Sequence, residues 1–176
     1  MKFNEALIKL NLAVLEEYPS AQFYEAQGYL IPSENVNYNV DGTIDTAHFK
    51  VAYNYFGNGR QKTIIGSFND DLTANIKIVD DIWTEDIIMT PYVPITCDQA
   101  IKILCEKYGA DIVKEGPVTL RHQLFPGESE PRYFFGSIGG VHTVNVYTGK
   151  IDVPVGNSFL KHFGRRLGLG IYKLFS

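Results

Sequence analysis

Cysteine is scarce in this chain: Cys97 and Cys105 are the two among 176 residues. That excludes a disulfide-stapled scaffold, which needs several bridges. On one helix the two thiols would lie about 12 Å apart along the axis, beyond the roughly 7 Å between Cα atoms that a disulfide spans. Two unpaired thiols fit a reducing compartment, and Cys105 is expected as a small buried residue. No Cys or His pair has zinc-ligand spacing, so neither a metal nor another cofactor is expected. No run of about 18 apolar residues exists to form a membrane-spanning helix. Basic residues are not in excess either: 16 Lys and Arg against 20 Asp and Glu give a net charge of −4. That argues against a dedicated nucleic-acid binder. Catalytic signatures are also missing. There is no Gly-x-Ser-x-Gly elbow, no His-Glu-x-x-His helix and no phosphate-cradling glycine loop, so a non-enzymatic protein is expected. The opening residues, Met1 to Ala6, do not lead into an export signal, because Glu5, Lys9, Glu16 and Glu17 interrupt the apolar run and Pro19 ends it. The expectation is a cytoplasmic protein, although a chain from which a signal had been removed fits the same residues.

What is present is a globular composition, 45% hydrophobic, 20% charged and 13% aromatic. Such a chain is neither disordered nor a coiled coil. At this length it can bury about 70% of its unfolded surface without a metal or a staple. Phe3, Leu7, Leu10, Val14 and Tyr18 recur at helical spacing and predict an amphipathic helix over 3–18. Strands are predicted over 22–31, 49–56, 62–68 and 75–83, and Gly57-Asn58-Gly59 is the clearest turn. A connector with Pro91 and Pro94 follows. Thr96 then predicts a helix N-cap, with Gln99 completing a capping box, and Gly109 predicts the C-cap. Further strands are predicted over 118–125, 132–138, 141–147 and 150–155.

The two halves share an order, a helix and then antiparallel strands. Asn4-Glu5-Ala6-Leu7 aligns with Asp98-Gln99-Ala100-Ile101, and residues 76–81 align with 144–149. The offsets of 94 and 68 require an insertion in the first copy. On these residues, with Tyr133-Phe134-Phe135 and Val144 to Lys150 including Thr148-Gly149, the stretch 95–155 resembles a PepSY-type domain. The first half resembles it more loosely, with Asp80-Asp81 in place of the turn glycine. The pair is similar in arrangement to the β-lactamase-inhibitory proteins. The resemblance implies a non-catalytic module that binds or inhibits another protein. The expected fold is therefore α+β: two tandem helix-plus-antiparallel-sheet units of PepSY/cystatin-like type over 1–90 and 91–156, then a basic amphipathic segment over 157–176.

Charge is unevenly placed. Residues 1–90 carry 13 acidic and 6 basic side chains, a net of −7, whereas 91–176 carry 7 and 10, a net of +3. Asp70, Asp71, Asp80 and Asp81 lead an acidic stretch that could steer a partner with a basic surface. The plain alternative is a solvated face that keeps strand edges from aggregating. Tyr53 and Tyr55 share one face of a strand and are candidates for a partner contact, unless that face lies beneath the helix. Asp41-Gly42-Thr43-Ile44-Asp45 lacks the spacing of a calcium loop. In the tail, Lys161, Arg165, Arg166 and Lys173 flank an apolar stripe of Leu160, Phe163, Leu167, Ile171 and Leu174. This suits an anionic membrane surface or a helix docked on the open sheet face. The enzymatic or small-molecule alternative would place a pocket between helix and curved sheet. It would draw on His48 or His142 for acid–base work.

Overall fold

The computed structural model describes residues 1–31, 45–80, 87–109, 112–113, 116–122, 130–137 and 140–152. The first element is α1 (Phe3–Glu17). It forms where the apolar residues recur every three or four positions. Phe3, Leu7, Leu10 and Val14 are buried along one face. Pro19 has no N–H to continue the ladder, and the Tyr18 N–H closes the helix onto the Val14 carbonyl at 2.7 Å. Four strands follow: β1 (Gln22–Ile31), β2 (Asp45–Gly57), β3 (Arg60–Phe68) and β4 (Ala74–Val79). Asn58 and Gly59 both take positive φ, 53° and 73°. This is the twist that a two-residue hairpin between β2 and β3 requires.

The second helix, α2 (Cys97–Tyr108), opens on the capping box. Thr96 Oγ1 accepts from the Gln99 N–H at 3.3 Å, and Gln99 Oε1 accepts from the Thr96 N–H at 2.8 Å. Strands β5 (Gly116–His122), β6 (Pro131–Ser137), β7 (Gly140–Asn145) and the short β8 (Ile151–Asp152) complete the described chain.

All eight strands form one antiparallel sheet in the order β4-β3-β2-β1-β5-β6-β7-β8. This overturns the expectation of two tandem α+β units. The described residues are dominated by a single continuous sheet, with two helices among them. The joint is the β1–β5 pair, where Ala26 stands opposite Leu120 and Gly28 opposite Val118. One core extends across it, from Leu7, Leu10, Tyr53 and Ile64 to Ile101, Leu104, Tyr133 and Val144. The helices are tied together as well, since Asn4 Oδ1 accepts from the Cys97 N–H at 2.8 Å. Strand periodicity predicts faces, but it carries no information on which outer edges pair, and here β1 and β5 satisfy each other's backbone groups.

α1 lies close on β2 and β3 because Gly66 leaves room. A Cβ there would stand 2.7 Å from Val51 Cγ2 and 3.4 Å from Val14 Cγ2. The face away from the core cluster carries polar groups. Glu25 and Arg121 form an ion pair at 3.1 Å with both side chains 5% exposed, and the Arg121 guanidinium stacks 5.7 Å from the Phe134 ring centre. Such a pair costs desolvation, and close geometry offsets that cost. No helix among the described residues is long and apolar enough to cross a membrane.

Candidate functional site

The acidic residues fall at the two ends of β4. At its start, residues 69–73 form a tight turn. The Asn69 N–H donates to the Thr73 carbonyl and the Leu72 N–H to the Asn69 carbonyl, each at 2.9 Å. Asp71 holds this turn by accepting from the Thr73 N–H at 3.0 Å and from Thr73 Oγ1 at 2.6 Å. Those hydrogen bonds favour the carboxylate and hold Asp71 below the ordinary aspartate value. Asp70 is exposed beside it. Leu72, at φ 63°, leaves its side chain 55% exposed.

At the other end Asp80 follows Val79. It meets Lys62 Nζ at 2.9 Å and is itself 90% exposed. The hydrogen bond from Lys62, then its charge, lowers the Asp80 pKa. Both Asp71 and Asp80 are thus set to be ionised at neutral pH. Between them β4 presents Ala74, Lys77 and Ile78 to solvent, with Ile78 39% exposed. Asp81 lies outside the described residues.

The two tyrosines separate. Tyr53 is fully buried beneath α1, and its hydroxyl donates to Asn11 Oδ1 at 2.8 Å. Burial pushes its pKa up, with nearby Tyr92 adding to the effect. It is removed from any contact surface. Tyr55 is half-buried, edge-on to Tyr18 at 5.1 Å. The exposed aromatic of this strand is Phe56, on the opposite face and 67% exposed. The tail residues Lys161, Arg165, Arg166 and Lys173 lie outside the described residues.

His48 is exposed in β2 at φ 50°. His142 is half-buried in β7, its ring 5.2 Å from Tyr108. Burial, and then the Lys107 charge, lower its pKa. Strands β1, β5 and β6 lie between these two histidines, which puts their strands about 20 Å apart at ordinary spacing. They do not converge. Among the described residues, no group of three or more His, Cys, Asp or Glu side chains is placed to hold a metal ion.

No family model matches the chain, and no curated protein matches it. Among solved structures it is similar to "a putative lipoprotein" from Clostridium difficile 630. The identity is 12%, the match covers 82% of this chain and 88% of that one, and the TM-score is 0.43. A likeness of that size carries no argument about function.

The β4 surface therefore stands on its own chemistry. It combines ionised carboxylates with exposed apolar groups and the outer side of a terminal strand. The sequence pointed to Asp70, Asp71 and Asp80, but Leu72 and Ile78 were missed. The alternation of Ile76, Lys77 and Ile78 signalled a strand with one face on the core. Ile76 packs against the core and Ile78 is 39% exposed, a difference the alternation alone does not carry.

Proposed function

We propose that the chain is a non-enzymatic protein-binding module, of the inhibitor or immunity type, working in a reducing compartment such as the cytoplasm. Its contact surface is the β3–β4 hairpin, and its partner presents a basic surface. One observation carries this reading: Asp70, Asp71 and Asp80 are exposed at the two ends of a terminal strand, with Leu72 exposed in the turn before it and Ile78 exposed within it. Carboxylates around apolar groups give a partner both a long-range field and a dry centre. The PepSY-type resemblance of 95–155 implies the same class of role. The distance between His48 and His142 leaves that pair without the shared geometry acid–base catalysis needs.

The test compares capture of proteins from native lysate by the wild type and by Asp70→Lys/Asp71→Lys/Asp80→Lys. Circular dichroism checks that both are folded. A partner held by the wild type and lost by the folded variant is the expected result. Equal capture by the two would sink the assignment and reduce the acids to solvation.

A further inference from the structure

β4 stands at one end of the strand order of the sheet. Ala74–Val79 pairs with β3 along its inner side, and no described strand pairs along its outer side. In an antiparallel strand alternate residues turn their N–H and C=O groups away from the partner. A terminal strand therefore offers a row of donors and acceptors to an incoming chain. Natural sheets commonly blunt such a strand with a bulge, a cover or a charged side chain, and Lys77 is the charged residue on this one. This one runs in regular register from Thr63↔Val79 to Phe68↔Ala74, without a shift. Ala74, Lys77 and Ile78 are exposed along it. Its two faces differ. Ile76 and Ile78 lie on the core side, opposite Gly66 and Ile64, whereas Lys77 and Val79 lie on the other, opposite Ile65 and Thr63.

We propose that β4 is a template for strand addition by an extended segment of a partner protein. That segment carries apolar residues at alternate positions and Lys or Arg at both ends, and it joins the sheet as a ninth strand. This rests on the protein-binding reading above and specifies how the surface is used. Main-chain hydrogen bonds to β4 supply affinity, and alternate side chains supply selectivity. Apolar residues pack beside Ile76 and Ile78, while an acidic or polar residue suits Lys77. Asp71 and Asp80 bracket about 20 Å of strand, and they select basic ends by charge complementarity. A second copy of this chain is a poor occupant. A twofold β4–β4 pairing is antiparallel and sets the acids of one copy against those of the other, and like charges in opposition destabilise a strand pair.

The test uses the full chain and synthetic peptides of about seven residues. One alternates Val and Thr between terminal lysines. The second has the same composition with the alternation broken, and the third has glutamate ends. The readouts are affinity and amide exchange along β4. The lysine-ended alternating peptide is expected to bind, to slow exchange of the outward β4 amides, and to bind about tenfold tighter than either control. In Asp71→Lys/Asp80→Lys, folded by circular dichroism, the preference is expected to invert toward glutamate ends. Binding that leaves β4 exchange unchanged would overturn strand addition, and so would no binding at millimolar peptide. Protection of β4 in the free protein would overturn it as well. If that protection rises with protein concentration, a second copy holds the strand. If it does not, another part of the chain does. None of these results touches the lysate comparison, so failure of the binding mode and failure of the protein-binding role are separable.

Discussion

Asn11 is a polar residue in the middle of an apolar helix face, and its partners explain why it is there. Its Oδ1 accepts from Tyr53 Oη at 2.8 Å, and its Nδ2 donates to Tyr92 Oη at 3.2 Å. One buried amide thereby joins α1, β2 and the connector before α2. Tyr53→Phe keeps the ring but leaves Asn11 Oδ1 without that donor. A buried acceptor stripped of its partner costs about 1–3 kcal/mol. The expected outcome is a lower urea midpoint with an unchanged slope, and a midpoint equal to wild type would show the hydrogen bond to be dispensable. The same residue shows the limit of reading a strand face by composition. Tyr53 and Tyr55 alternate alike in sequence, yet one is sealed under α1 and the other stays half-open beside Tyr18.

At the scale of elements, local chemistry is decisive. The Thr96–Gln99 capping box is written in four consecutive residues and is formed as written, because both partners lie within one turn of backbone. Thr96→Ala removes the acceptor for the Gln99 N–H and is expected to cost about 1 kcal/mol. Equilibrium unfolding measures the cost, and faster exchange in the first turn of α2 locates it. Equal stability would mean that the Asn4 contact to the Cys97 N–H carries this helix start without the box. β4 is the contrasting element. Its existence is legible in Ile76, Lys77 and Ile78. Its position at the end of the described sheet is not, since nothing within Ala74–Val79 says that β3 will be its one partner among the described strands.

For the whole molecule the β1–β5 joint matters most. Leu120 is fully buried and faces Ala26 across it. Leu120→Ala is expected to cost about 2–5 kcal/mol through lost burial and the cavity left behind. Because one core crosses the joint, the loss should appear equally in amide exchange of β3 and of β6, within a single unfolding transition. Two transitions, with β3 unaffected, would show that the halves fold independently despite the shared sheet.

The sequence by itself determined the local pieces. The spacing of Phe3, Leu7, Leu10 and Val14 made α1, Asn58-Gly59 made the hairpin, and Thr96 with Gln99 started α2. It also determined that the acids would be concentrated between 70 and 86. The tertiary structure alone decided that β1 and β5 join two runs of strands into one sheet, that Tyr53 is buried, that His48 and His142 stand apart, and that β4 is left at the end. The physical reason is that helices, caps and tight turns are built from side chains a few residues apart. Strand pairing is made by backbone groups that are the same in nearly every residue, so the choice of partner is settled by how the faces pack and not by any local motif.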